Sequence, residues 1–196
     1  MKEKILMIVF ILVLGTLLTS ALIAVDYYTL PYIEKNEAQK QKVSVLVAFA
    51  VPIDEKSESI EDVFAENVEV TQRGERTFYI SKNGEIAFQF SGSGLWGPIT
   101  GVLALGPDVK TIKRIVIMHQ EETPGLGSRI AEKSYLDGYN GKTFSPLLRL
   151  MQPGRGTQAD EVDAIAGATM SSNAFVQILN SQMKEFSSAF KGETQQ

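Results

Sequence analysis

Cysteine is absent from the 196 residues, and histidine occurs once, at His119. The first absence excludes disulfides, thiolate-held iron–sulfur clusters and cysteine-bound zinc. The second excludes His-rich metal sites and bis-histidine haem ligation within this chain. An electron carrier here would have to be organic. Nor is there an excess of positive charge: 19 Lys and Arg stand against 23 Asp and Glu, so no electrostatic footprint for nucleic acid is present. The chain contains no internal repeat and no glycine fingerprint of a nucleotide-binding turn.

Charge is missing altogether between Ile5 and Val25, where every residue is apolar or small. A bilayer core is crossed by about 20 such residues in a helix. Lys2 and Lys4 precede the run, Asp26 and Glu34 follow it, and Tyr27, Tyr28 and Tyr32 lie where an interfacial aromatic belt would be. The positive-inside bias predicts a single-pass anchor in the cell (inner) membrane, with a cytoplasmic N-terminus and the remainder on the periplasmic or extracellular side. The competing reading is a cleaved signal peptide. The run is long for that, and Leu22-Ile23-Ala24 lacks the small-x-small exit; Thr19-Ser20-Ala21 fits it better but lies inside the run.

After the anchor, Pro31 is expected to start a new helical stretch from Tyr32 to about Phe49, with Val43, Leu46, Val47 and Ala50 at helical spacing. Pro52 to Asn67 is acidic and reads as an irregular surface connector. Asn83-Gly84 between Thr77–Ser81 and Ile86–Phe90 is a hairpin signal. Ile99–Leu105 and Thr111–His119 read as two further strands around the turn Gly106-Pro107-Asp108. Ser128–Leu136 reads as a short helix behind a serine cap. Met170 to about Phe186 places Phe175, Leu179, Met183 and Phe186 on one face of an amphipathic helix. The pattern predicts an α+β architecture: a single N-terminal transmembrane helix, then an antiparallel-sheet domain with a C-terminal helix.

Asp163-Ala-Ile-Ala-Gly-Ala-Thr-Met-Ser-Ser172 runs directly into that last helix, with Thr169 at or next to the N-cap. Unpaired backbone N–H groups and the positive end of the helix dipole make such a position a ready phosphate site. Gly167 and Ala168 keep the approach open, and Ser171 and Ser172 could add donors. Taken alone, a threonine there is usually just a cap. Two other segments stand out: the loop His119-Gln-Glu-Glu-Thr-Pro-Gly-Leu-Gly127 and the glycine-rich Gly94-Leu-Trp-Gly-Pro-Ile-Thr-Gly101. Alone, the first is a tight turn and the second holds a core tryptophan.

Together, the three segments resemble the motifs of one family, the FMN-binding subunits of two membrane complexes. These are the G subunit of the Rnf ferredoxin:NAD oxidoreductase and the C subunit of the sodium-translocating NADH:quinone reductase (NQR). Asp163, Gly167, Ala168, Thr169 and Ser172 match the flavinylation motif Asp-x-x-Ser/Thr-Gly-Ala-Thr-x-x-Ser; Ala166 departs from it, standing where the motif has its first hydroxyl residue. The resemblance implies an electron-transfer subunit, a redox part of an ion-translocating oxidoreductase that is not catalytic alone. Its cofactor would be FMN, joined by a phosphoester to Thr169. It further implies other membrane subunits of the complex as partners, and a flavin transferase using FAD for maturation. The cofactor site would comprise Asp163, Gly167, Ala168, Thr169, Ser171 and Ser172 near the phosphate. Glu122, Thr123, Pro124, Gly125, Leu126 and Gly127, with Leu95 and Trp96, would surround the ring. No metal ligand is expected. On this reading residues 1–28 are the anchor in lipid, 29–67 a helical connector, 68–190 the FMN-binding domain and 191–196 a flexible tail. Between the two complexes, chain length favours the Rnf type, while the Gly-Leu-Trp segment leans to the quinone reductase. Two other readings are a non-catalytic anchored scaffold module and a stand-alone flavoprotein reductase. His119 is expected to cap its turn, and Glu121 and Glu122 to face opposite ways.

Overall fold

The computed structural model describes residues 2–53, 59–74 and 76–191. The chain divides into two compact units, Met1–Lys40 and Gln41–Gln196. In the first, the uncharged run forms one helix whose apolar side chains are exposed throughout, long and apolar enough to cross a membrane. Helix α1 spans Lys2–Ala48 without interruption. Pro31 therefore does not begin a new helix. Pro31 costs the helix one i→i−4 hydrogen bond and crowds the Tyr27 carbonyl, but the helix runs through it.

In the second unit five strands form an antiparallel meander in sequence order: β1 (Val68–Arg73), β2 (Arg76–Ser81), β3 (Ile86–Ser93), β4 (Pro98–Leu105) and β5 (Ile112–Gln120). The Asn83-Gly84 turn joins β2 to β3, with Ile80 opposite Ile86. Period-two alternation sends Phe78, Phe88, Phe90, Leu103 and Leu105 to one face and Tyr79, Ala87, Val102 and Ala104 to the other. The second face is covered by Val45 and Leu46 at the end of α1, by Phe49 just after it, and by Val63 and Phe64 of α2 (Ile60–Asn67). Helix α2 lies in the segment expected to be irregular. Ser59 caps it by accepting from the Glu61 amide, and Glu61 and Asp62 complement the dipole of its first turn. Residues 54–58 of that segment lie outside the described residues.

The first face is covered by α4 (Thr169–Lys191), whose Phe186 stacks on Phe88 with ring centroids 4.8 Å apart. A Cβ on Gly92 would come within 2.6 Å of Ile178, so β3 and α4 meet at a distance only glycine allows. This contact, with Phe175 and Leu179 fully buried, holds the start of α4 over the end of the sheet. Between β5 and α4 the chain forms a 3-10 turn (Gly127–Ala131), a short α3 (Lys133–Asp137) and a small parallel pair, β6 (Arg149–Met151) with β7 (Glu161–Asp163). The serine-capped helix expected over 128–136 is thus split in two. Leu126, not serine, precedes the 3-10 turn, because the Ser128 hydroxyl accepts from the Gly125 amide behind it. The expected tail lies, from residue 192 onward, outside the described residues.

Candidate functional site

Three separate stretches of sequence meet at one buried carboxylate. Glu122 follows β5 and is 3% exposed. Its Oε1 accepts from the backbone amides of Leu95 at 2.7 Å and Trp96 at 3.3 Å. Its Oε2 accepts from the Ser171 hydroxyl at 2.7 Å, in the first turn of α4. Glu122 is itself oriented by its amide, which donates to the Gln120 side chain at 2.7 Å. Glycines flank it on both sides. A Cβ on Gly94 would lie 2.4 Å from Oε1, and one on Gly127 would lie 2.8 Å from Oε2 and 2.6 Å from the Ser171 hydroxyl. Each glycine thus makes room for the carboxylate, and the carboxylate ties each loop to α4.

The turn Thr123–Leu126 closes when the Leu126 amide donates to the Thr123 carbonyl at 3.2 Å. Pro124 suits its second position, and Gly125, at φ +73°, suits a third position that needs a left-handed residue. Thr123, Pro124, Gly125 and Leu126 are all exposed. His119 and Glu121 pair with each other at 3.1 Å on the outside, while Glu122 points in, so the two neighbouring glutamates do face opposite ways.

The segment before α4 is fixed from within. Asp163 accepts from the amides of Arg155 (3.0 Å) and Gly156 (2.7 Å) through one oxygen. Ser172, fully buried, donates to the Ala168 carbonyl and accepts from the Ile165 amide, both at 3.0 Å. Nearby, the Tyr135 hydroxyl lies 2.8 Å from that of Tyr139. Burial pushes both phenols above their ordinary range, so they stay protonated. The carboxylate of Asp163 and the hydroxyls of Ser171 and Ser172 are thus engaged in holding the turn. The hydroxyl of Thr169 is not tied down this way. Thr169 is exposed in the first turn of α4, where the leading amides have no partner within the helix. Gly167, at φ +82°, has open space beside it. Arg129, which the sequence did not single out, reaches this turn and donates to the Ala166 carbonyl at 3.4 Å.

The segments joined through Glu122 and Ser171 also expose large apolar side chains. Leu95, Trp96, Leu126 and Met170 are 41%, 72%, 53% and 67% exposed. Amides at a helix start fit an anionic group, and bare apolar side chains beside them fit a flat organic one. These residues suit a nucleotide-like cofactor with a phosphate at one end. Among the described residues no group of acidic or histidine side chains could hold a metal.

Residues 94–184 match the model of the FMN-binding domain, which takes in all three stretches. That stretch is similar to an FMN-binding domain. The chain is 36% identical over 96 residues to the C subunit of the Na(+)-translocating NADH-quinone reductase of Neisseria meningitidis, an alignment covering 46% of this chain and 37% of that protein. The corresponding protein of Pasteurella multocida is 31% identical over 105 residues, covering 48% and 40%. The chain thus spans well under half the length of these curated relatives. Among solved structures, Shewanella oneidensis NqrC superposes with a TM-score of 0.64 at 20% identity, covering 76% of this chain and 99% of that one. The C subunit of the Na(+)-translocating NADH-quinone reductase from Parabacteroides distasonis gives 0.69 at 20%, covering 83% and 96%. At that identity the likeness is one of fold, and it matches the α+β architecture expected from the pattern. The family is the one expected from the three motifs.

Proposed function

We propose that this protein is a membrane-anchored electron-transfer subunit that carries FMN as a phosphoester on Thr169. The observation behind this reading is the convergence at Glu122: one buried carboxylate ties the Gly94–Gly101 and His119–Gly127 segments to α4, beside an exposed threonine in its first turn. Bound FMN would supply the reversible redox chemistry, which is the cofactor's own. The chain's residues hold and orient it. The first-turn amides of α4 would hold its phosphate. Thr123, Gly125 and Leu126, with Leu95 and Trp96, would border the ring and limit its contact with water. Glu122, Gly127, Ser171, Ser172 and Asp163 keep those elements in place.

Attachment requires that the Thr169 hydroxyl displace AMP from FAD. The new bond joins Oγ1 to the FMN phosphorus as the pyrophosphate bond breaks, and the hydroxyl proton passes to a base of a separate flavin transferase. Other membrane subunits would deliver and remove electrons. The lysines before the apolar helix support a single-pass arrangement with the flavin domain on the periplasmic or extracellular side. The first reading of the complex is an Rnf-type one. A second reading, the C subunit of a sodium-translocating NADH:quinone reductase, is favoured by the names of the relatives above. The genes flanking this one separate the two. For the flavin itself, the test is co-expression with a flavin transferase followed by a denaturing gel: the wild type should fluoresce in its band and Thr169→Ala should be dark.

A further inference from the structure

The geometry points to Arg129 as the cation that receives the phosphate at Thr169. This role rests on the proposal that FMN is carried there. A phosphodiester bears one full negative charge, whereas a helix N-terminus presents only about half a positive charge. A second source of positive charge is needed close by. Arg129 is on the 3-10 turn immediately after Gly127, and Gly127 abuts Ser171 of α4, so the backbone that carries the guanidinium is fixed against the helix that carries Thr169. The guanidinium already touches the Ala166–Thr169 turn, through the 3.4 Å hydrogen bond to the Ala166 carbonyl.

Both contacts of the side chain are long. The first is that bond, and the second is an ion pair with Glu132 at 3.7 Å. A guanidinium has five N–H donors in a planar fork, and its side chain here is 42% exposed. Donors therefore remain for an oxyanion pair, the arrangement in which arginine outperforms lysine. The plain structural reading is that Arg129 only clamps the Ala166 carbonyl. The two readings differ in when the residue matters: a clamp stabilises the protein with or without flavin, and a phosphate partner stabilises it mainly when flavin is attached.

The test uses the full chain co-expressed with a flavin transferase, with Arg129, Arg129→Lys or Arg129→Gln. Each is made with Thr169 and with Thr169→Ala, loading is read by intact mass, and stability by the denaturant midpoint. The flavin-dependent rise in midpoint should be largest with arginine, smaller with lysine, and cut by about half or more with glutamine. The flavin-free midpoints should differ little. A glutamine variant that folds but stays unloaded, while lysine restores loading, also supports the assignment. An equal rise for arginine and glutamine overturns it, as does a loss confined to the flavin-free proteins. If the Lys and Gln variants both fold and neither loads, the transferase reads Arg129 and the assignment also falls. If the wild type takes up no flavin at Thr169, it is the FMN proposal that fails, and this one falls with it.

Discussion

The Ser171 hydroxyl donates to Glu122 across 49 positions of sequence, at 2.7 Å and with both residues buried. A buried hydrogen bond to a charged group contributes more than a neutral one, about 1.5–3 kcal/mol, and losing one partner strands the other. Ser171→Ala should cost about 1–3 kcal/mol. Glu122→Ala should cost more, because the Leu95 and Trp96 amides also lose their acceptor. In a double-mutant cycle by urea unfolding the two should couple by about 1 kcal/mol or more. Additive losses would mean that the bond does not link the loop to the helix.

Two glycines of one loop should behave differently. Gly127→Ala places a methyl where the Glu122 carboxylate and Ser171 hydroxyl meet, and should destabilise the domain by about 1–3 kcal/mol. Gly125 has open space but needs φ +73°, so Gly125→Val strains the Thr123–Leu126 turn while leaving the α4 start alone. That variant should keep its covalent flavin and shift the flavin midpoint potential. Full loading with unchanged potential and turnover would show that the loop is only a turn.

Much of this was legible in the sequence, for identifiable reasons. The Asn83-Gly84 turn and the alternating Phe78, Phe88 and Phe90 gave away the hairpin, and the 3.6-residue spacing of Phe175 through Phe186 gave away α4. Strand β1 was not visible because it is an edge strand with one buried residue in six, so its pattern carries little hydrophobic signal. The β6–β7 pair was hidden because three residues are too few to show a period. At the site, the motifs named the right neighbourhood but not the division of labour. Asp163, Glu122, Ser171 and Ser172 look alike in sequence, as polar residues near a ligand. Only their partners reveal that they brace the turn around Thr169. Arg129 stood outside every spacing argument, because its link to Ala166 is set by how the 3-10 turn packs.

The parallel pair carries an acid-sensitive element. Glu161 accepts from the Thr157 and Gln158 amides, both at 3.0 Å, and lies near Arg149; these hold its carboxyl below the ordinary glutamate range. A carboxyl lowered in the folded state stabilises the fold above its unfolded pKa, and that contribution is lost as pH falls through the folded value. Thermal unfolding should therefore drop as pH is taken from about 6 to about 3.5, and the drop should be shallower in Glu161→Gln. Parallel curves for the two proteins would refute this role.

The orientation rests on Lys2 and Lys4 before the apolar run and Asp26 after it. A reporter that is active only outside the cytoplasm, fused after Gln196, should be active. A reporter active only when cytoplasmic should be silent at the same position. The reverse pair of results would invert the topology.

The account stands or falls on the hydroxyl of Thr169. Peptide mapping by mass spectrometry of the protein co-expressed with a flavin transferase measures it directly. The peptide containing Thr169 should carry the added mass of FMN less one water, localised to Thr169 by fragmentation and absent from Thr169→Ala. An unmodified Thr169 in flavin-loaded protein, or the same added mass on another residue, would contradict it.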